Sequence, residues 1–293
     1  MTEAASGGLA IAALDSELDQ FPGTVSVWFG PVDGAAIYQR HAEVGHYPAS
    51  TMKLAVLAAA YRLADRGVLD LDEQVTVHNR FRSAAPGAPE FTMDPEYDSD
   101  PEVWARLGGK ASLRWLAERM IILSSNLATN LVLERTGYDA ATAAFTAAGA
   151  TGSVVRRGIE DYAARDAGMD NRVTAADLAA LLGAIAEHRI ASPEACREMH
   201  GILLAQRKND DLPAGLPPGT PVAHKNGWVD GIRHDAGIVH SPDAPPYRLV
   251  VCISATKPDE ATEADYAALD ATMRDLMRRI AQASWDDRHR LAG

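Results

Sequence analysis

Residues 46–67 read HYPASTMKLAVLAAAYRLADRG, which places Ser50 and Lys53 three residues apart at the start of an apolar, helix-patterned run. Residues at positions i and i+3 share one face of a helix, so the pattern puts the Lys53 amine within reach of the Ser50 hydroxyl. A buried amine that is held neutral can take the proton of a serine hydroxyl, which is otherwise a poor nucleophile. The spacing alone is common, and the ordinary interpretation makes Ser50 a helix cap and Lys53 a solvated residue.

The composition is that of an ordinary globular chain of 293 residues, 47% hydrophobic and 23% charged. A net charge of −12 argues against nucleic acid or an anionic membrane as the main partner. Cys196 and Cys252 lie in apolar patterns and are expected to be buried and unreactive. No apolar run reaches 18 residues and the N-terminus lacks a basic start, so we expect a cytoplasmic protein, with a trimmed export signal as the alternative.

Strand patterns fall at the two ends of the chain and flank a long helical block. Short turns within each group imply antiparallel pairing, so both ends contribute to one five-stranded sheet. The predicted strands cover residues 24–30, 35–40, 220–228, 234–240 and 247–255. The predicted helices cover about 8–20, 50–65, 111–122, 124–136, 139–148, 173–188, 192–206 and 261–284.

This order predicts an α/β fold in which a sheet lobe, residues 1–44 and 216–293, and an all-helical lobe, residues 45–215, together form one structural domain. Residues 79–110 are irregular and rich in Pro, Gly and Asp. Their acidic part, DPEYDSDPE at 94–102, lacks the glycine and terminal glutamate of a calcium-binding EF-hand loop. We therefore interpret this part as a solvated acidic loop.

Two further motifs follow the Ser50 segment in the chain. Ser124-Ser125-Asn126 opens the run LSSNLATNLVLERTG, and Lys225-Asn226-Gly227 lies in HKNGWVDG at the end of the third strand. The order S-x-x-K, S-x-N, K-x-G on matching elements is far rarer than any one of the three. On these residues the whole chain resembles the class A β-lactamases and the wider family of penicillin-recognising serine hydrolases. The resemblance implies a five-stranded antiparallel sheet flanked by helices, an all-helical lobe, and an active site in the cleft between them.

The resemblance also implies roles for the motif residues. Ser50 would be the acylated nucleophile, Lys53 its proton partner, and Ser124 the relay that protonates the leaving nitrogen. Lys225 would hold positive potential in the cleft, and two neighbouring lysines lower each other's pKa, which suits a base. The N–H groups of Ser50 and Trp228 would form the oxyanion hole. The residues expected to bind substrate are Asn126, Asn226, Gly227, Trp228 and Arg233. Arg233 would bind a substrate carboxylate, and the alternative is a solvated arginine in a turn.

The rate at which the acyl-enzyme is hydrolysed distinguishes a β-lactamase from a penicillin-binding peptidase. In class A enzymes a loop glutamate activates the water, and Glu160, 36 residues after Ser124, fits that separation, with Asp161 as the fallback. Arg157 and Asp170 are expected to join the ends of this loop as an ion pair.

The chain also departs from the family pattern. Ala164 stands where an asparagine usually helps to hold the water, Ser125 replaces an aspartate, and Asn226 replaces a threonine or serine. Trp228 stands where the residue is usually small.

We therefore expect a serine hydrolase that opens the β-lactam amide through an acyl-serine at Ser50, in the setting of antibiotic resistance or β-lactam catabolism. Two alternatives stay open: a related cytosolic acyl hydrolase, such as a D-Ala-D-Ala-type peptidase or an esterase/amidase, and a binding or sensor domain that acylates and stalls. The histidines lack the H-E-x-x-H spacing, so we expect no metal and no cofactor. His224 and His234, near the expected cleft, are assigned structural roles. The expected partner is a small-molecule substrate, and the sequence does not give the oligomeric state.

Overall fold

The computed structural model describes residues 8–256 and 262–291, and its main element is one five-stranded antiparallel sheet. The strands are β1 (Gly23–Pro31), β2 (Tyr38–Arg40), β3 (Gln74–Thr76), β4 (Lys110–Ser112), β5 (Val222–Val229), β6 (Ile232–Val239) and β7 (Tyr247–Ala255). The order across the main sheet is β2-β1-β7-β6-β5, and β3 and β4 form a separate pair. β1 pairs with β7 along its 9 residues, so the sheet joins both ends of the chain as the sequence predicted.

Helices fill the chain between β2 and β5 and close its C-terminal part. The α-helices are α1 (Asp15–Leu18), α2 (Lys53–Asp65), α3 (Pro101–Trp104), α4 (Leu113–Ile122), α5 (Asn126–Thr136), α6 (Tyr138–Ala147), α7 (Tyr162–Asp166), α8 (Ala175–Ala186), α9 (Pro193–Leu204) and α10 (Glu263–Asp286). Short 3-10 helices cover Ala12–Leu14, Ala49–Met52, Pro95–Tyr97, Leu212–Gly215 and Arg288–Leu291.

The helix predicted over residues 8–20 forms only a 3-10 turn and the four-residue α1. The N–H groups of Ala10 and Ile11 donate to the carboxylate of Asp287 at 2.9 Å, so a tertiary contact overrides helix propensity at this point. The sequence missed β3, α3, β4 and α7 because elements of three to five residues carry too little periodicity. Residues 1–7, 257–261 and 292–293, which the sequence assigned to the sheet lobe, lie outside the described residues, as does the predicted start of the last helix.

Hydrophobic residues pack against both faces of the sheet. Val250 belongs to the cluster shared with the helical block, and its neighbour Val251 belongs to the cluster shared with α10. Successive side chains of a strand point to opposite faces, so a strand that is covered on both sides reads as a continuous apolar run, as β7 does. The lobe boundaries at residues 44 and 216 stay a prediction.

Helix α2 lies at the centre of the helical block. Residues 53–61 of α2 are all buried, and alanines at 55, 58, 59 and 60 let α4, α5, α6, α8 and α9 pack around it. A helix that is apolar on every side is a buried helix. Lys53 is its first residue, so the burial of the Lys53 amine follows from the position of α2 in the fold.

The acidic loop differs from the solvated loop that the sequence predicted. Asp100 is fully buried and binds the Arg119 guanidinium through two hydrogen bonds of 2.5 Å. Asp98 accepts hydrogen bonds from the Leu127 N–H and the Ser125 hydroxyl. The prediction of a solvated loop was wrong for these two carboxylates. It rested on local composition, whereas the partners of Asp98 and Asp100 are distant in sequence. In the part of the chain that the structure describes, no helix is long and apolar enough to cross a membrane.

The buried Asp100–Arg119 pair should hold the loop in place. We expect Asp100→Ala to lower the free energy of unfolding by about 3–5 kcal/mol, because it leaves the Arg119 charge buried without its main partner. Urea denaturation measures this change. Glu102, which is mostly exposed and 3.3 Å from Arg119, provides the matched control, and Glu102→Ala should cost less than about 1 kcal/mol. Equal effects of the two variants would contradict the assignment.

Candidate active site

Half of the ten residues singled out in the sequence line one cleft between the sheet edge and the helical block. The cleft has a volume of about 710 Å³. Its lining includes Ser50, Ser124, Asn126, Glu160 and Trp228. Lys53, Lys225, Asn226 and Arg233 are buried outside this lining.

Ser50 lies in the 3-10 helix that leads into α2, directly against strand β5. A Cβ atom built on Gly227 would lie 2.5 Å from the Ser50 nitrogen and 3.0 Å from that of Thr51, so only glycine permits this approach. Within the described residues, the Ser50 N–H and hydroxyl have no hydrogen-bond partner. An unpaired N–H at the start of a helix is suited to hold an oxyanion, and the next residue of the strand, Trp228, also lines the cleft.

Backbone strain is concentrated at this cleft. Five non-glycine residues of the described chain have a positive φ, and three of them line the cleft: Ala49 at 45°, Ser124 at 61° and Glu160 at 63°. Such conformations cost about 1–3 kcal/mol each, and they persist where the surrounding structure holds them for function. The residues with strained backbone therefore lie at the same cleft as the residues of the sequence motifs.

The Lys53 amine is held by acceptors from the start of α5. Its Nζ donates to the Ser124 carbonyl at 2.7 Å and to the Asn126 Oδ1 at 2.8 Å, and it lies 3.2 Å from the Ser124 Oγ. Burial, and then the charge of Lys225, hold the pKa of Lys53 well below its usual value, while Asp98 opposes the shift. A neutral amine that gives its two protons to the two carbonyl oxygens keeps one lone pair for a hydroxyl proton.

The Lys225 amine is also fully buried. Its Nζ donates to the Asn226 carbonyl at 2.7 Å. Burial lowers the pKa of Lys225 to about 7, against the raising effect of Asp235 and Asp211. Lys225 is therefore partly protonated at neutral pH, and its charge acts on the nearby Lys53.

The loop of residues 79–110 completes the second motif. Ser125 begins α5 by accepting the Ala128 N–H, and the Asp98 carboxylate binds the Leu127 N–H at 2.8 Å. Asp98 thus places a carboxylate beside Ser125, the position where the family usually has an aspartate. The Asn126 side chain donates to the Tyr97 carbonyl at 2.9 Å, so the loop borders the cleft as the sequence predicted.

Glu160 presents one free carboxylate oxygen near the cleft. Its Oε2 accepts the Asp94 N–H at 2.9 Å, while its Oε1 is buried and has no partner among the described residues. Burial raises the pKa of Glu160, and the charges of Asp94 and Asp98 add to the rise, although the Asp94 N–H opposes it. Asn130 fixes the preceding residue by two hydrogen bonds of 2.9 Å to the Ile159 backbone.

Asp161, the fallback base, is fully buried and its carboxylate is saturated by Ser83, Ala84 and Ala164. It caps α7 and ties the loop of residues 79–110 to the Glu160 segment. Ala164 is buried and carries no polar side chain that could hold a water beside Glu160. The ion pair expected at the loop ends is present, with Arg157 3.4 Å from Asp170.

Arg233 occupies neither of the two environments predicted for it. Its side chain is almost fully buried, and it forms ion pairs with Asp211 at 2.7 Å and Asp270 at 2.6 Å. The Asn226 side chain also turns to this cluster and donates to Asp211 at 2.8 Å. The substrate-binding roles of Asn226 and Arg233 stay predictions.

Two buried histidines hold the segment that precedes the proposed nucleophile. The ring nitrogens of His46 lie 2.8 and 2.7 Å from the hydroxyls of Ser26 and Ser254, and His234 Nε2 is 2.9 Å from the Tyr47 carbonyl. Burial lowers the pKa of His46 to about 3 and that of His234 to about 4, so both are neutral near pH 7. His224, also buried, bonds to Asp235 on the neighbouring strand.

Several residues that shape the cleft could not be recognised from the sequence motifs: Asp98, Asn130, His46 and Asn171. Asn130 follows Asn126 by four residues on α5, which places the two amides on one helical face, and this spacing was the available signal. The others act through partners far away in sequence, which a single sequence does not reveal.

Comparisons with known proteins identify the family of this chain and its fold. The model of the family described as Beta-lactamase enzyme family matches residues 10–286, so the chain belongs to this family. No protein of curated function matches the sequence.

Solved structures share the fold across nearly their whole length. PBP-A is similar with a TM-score of 0.76 and 23% identity, covering 94% of each chain. A β-lactamase from Sphaerobacter thermophilus has a TM-score of 0.76 and 22% identity over 97% of this chain and 98% of its own. One from Xanthomonas campestris has a TM-score of 0.76 and 21% identity over 97% of both. The predicted β-lactamase-like fold is confirmed.

The buried Lys225 amine should appear in the pH dependence of stability. The unfolded chain keeps this lysine protonated up to about pH 10.5, whereas the folded protein releases the proton above about pH 7, so stability rises with pH between these values. In urea denaturation, the free energy of unfolding of the wild type should rise relative to Lys225→Met by about 1.4 kcal/mol per pH unit from about pH 7 to 9. Lys110→Met, at an exposed lysine, should run parallel to the wild type. Parallel curves for both variants would contradict the charge burial.

Proposed function

We propose that the protein is a serine acyl hydrolase of the class A β-lactamase type, which opens a β-lactam amide through an ester on Ser50. The observation that carries the proposal is the Lys53 amine, fully buried at the start of α2 and bonded to the backbone and hydroxyl of Ser124. An amine kept neutral by burial can accept the proton of a hydroxyl near pH 7.

Acylation is assigned to these groups. The Lys53 amine bonds to Ser124 and Asn126 in the structure, so the Ser50 hydroxyl has to turn toward Lys53 before it attacks. The Ser50 oxygen attacks the carbonyl carbon and its proton passes to Lys53, while the N–H groups of Ser50 and Trp228 hold the oxyanion. When the carbon–nitrogen bond breaks, the leaving nitrogen takes a proton from Ser124. Ser124 then regains a proton from Lys53 across their 3.2 Å hydrogen bond, which restores the neutral amine.

Deacylation is assigned to Glu160. Its unpartnered Oε1 can accept a proton from a water that attacks the ester, and its raised pKa makes it a better base than an exposed carboxylate. The proton then returns to the Ser50 oxygen as the ester bond breaks, which releases the acid product.

A second candidate is an acyl hydrolase of the same family that forms the ester but releases it slowly. Ala164 favours this candidate, since it supplies no second polar group to hold the water. Both candidates share acylation at Ser50 and differ in the rate of the second step.

A chromogenic cephalosporin and intact-mass analysis test the proposal. Wild type should turn over, Ser50→Ala should lose turnover and form no adduct, and Glu160→Gln should accumulate an acyl adduct with deacylation slowed about 10²–10⁴-fold. Glu194→Gln, at an exposed glutamate at the start of α9, is the matched control and should resemble the wild type. A stable adduct on the wild type favours the second candidate, and the absence of any adduct or turnover refutes both.

A further inference from the structure

We infer that the cleft selects substrates with no negative charge beside the scissile amide, because the cation at that end is already paired with two carboxylates and covered by an indole. This inference rests on the proposed function and names its substrate class. The cation is Arg233 and the indole is Trp228.

Arg233 has little capacity left for a substrate anion. Its Nε and one terminal nitrogen donate to Asp270 Oδ1 at 2.9 and 2.6 Å, and its other terminal nitrogen donates to Asp211 at 2.7 Å. The side chain is 2% exposed. Asp270 also pairs with Arg274 at 2.8 Å, so two arginines and two acids balance each other and leave little net potential. A buried ion pair is costly to separate.

The unusual asparagine of the third motif belongs to the same arrangement. Asn226 Nδ2 donates to Asp211 Oδ2 at 2.8 Å, and Asp211 Oδ1 accepts from Arg233. A threonine or serine hydroxyl at this position is too short to reach Asp211 in the same way. The asparagine at position 226 and the paired Arg233 thus belong to one hydrogen-bonded cluster, Asn226–Asp211–Arg233–Asp270.

Trp228 presents its ring where a substrate would otherwise approach this cation. The Arg233 guanidinium carbon lies 5.9 Å from the ring centroid, and the indole is 40% exposed and lines the cleft. Tyr47 and Tyr97 are exposed and line the same cleft. Aromatic faces favour uncharged and apolar groups over carboxylates.

The remaining charges of the lining add to this preference. Its arginines are paired, Arg157 with Asp170 and Arg165 with Asp166. Asp230 lines the cleft and has no ion-pair partner among the described residues, and Glu160 carries a second negative charge. The lining thus holds three acids and two arginines, and the buried Lys225, which is only partly protonated near pH 7, does not fully offset the difference. Such a balance disfavours an anionic ligand.

Penicillin G and its methyl ester form a matched pair of probes, since they share the reactive amide and differ in one carboxylate. Intact-mass analysis gives the rate of adduct formation on the wild type, with Ser50→Ala as the check on the acylated residue. We expect the methyl ester to acylate at least about tenfold faster than the free acid. Added salt should narrow this ratio, since screening weakens repulsion between exposed charges.

Asp270→Asn tests whether the paired arginine is the cause. It removes one of the two acids from Arg233 and should shift the ratio of rates toward the free acid by about tenfold. Asp275→Asn, an exposed acid on the same helix, should leave the ratio unchanged.

The possible failures are distinguishable. Acylation by the free acid at an equal or higher rate overturns the inference and leaves the proposed function intact. An adduct that persists in Ser50→Ala, or no adduct from either probe, overturns the proposed function and the inference with it. An unchanged ratio in Asp270→Asn rejects the role of the Asn226–Asp211–Arg233–Asp270 cluster.

Discussion

The burial of two lysine amines is the constraint on which the rest of the site depends. Lys53 begins the central helix of the helical block, Lys225 lies on the edge strand of the sheet, and each side chain is fully buried. Removing an ammonium from water disfavours its charged form, so the fold itself favours the neutral amine that the proposed acylation needs. The carbonyl oxygens of Ser124 and Asn226 and the amide oxygen of Asn126 hold these amines in place.

The fold brings the two lysines together by close packing of backbone as well as side chains. Gly227 allows β5 to approach the Ser50 nitrogen, and the neutral histidines His46 and His234 fix the segment leading to Ser50. The strained backbone at Ser124 and Glu160 is tolerated because extensive cores on both faces of the sheet stabilise the surrounding structure. Stability elsewhere in the molecule thus supports unfavourable conformations at the cleft.

The sheet and most long helices could be predicted because their periodicity is local, and the ordered motifs placed Lys225 on the correct strand. Ser50 and Ser124 lie just before the α-helices predicted to contain them, Ser50 in a 3-10 helix and Ser124 with a positive φ. The environments of Arg233 and Asp100 could not be predicted. Each depends on an acid or a base brought close by the fold, Arg233 on Asp211 and Asp100 on Arg119. Charge pairing across the fold leaves no periodic signal, and the same holds for the contacts that the loop of residues 79–110 makes.

The most direct test of the central claim is a titration of the lysines by NMR with ¹³C-labelled lysine side chains. The chain contains five lysines, so the spectrum is simple enough to assign by Lys53→Met and Lys225→Met. We expect the signal lost in Lys225→Met to titrate near pH 7 and the signal lost in Lys53→Met to titrate well below its usual range. Titration of both near their ordinary pKa of 10.5 would contradict it.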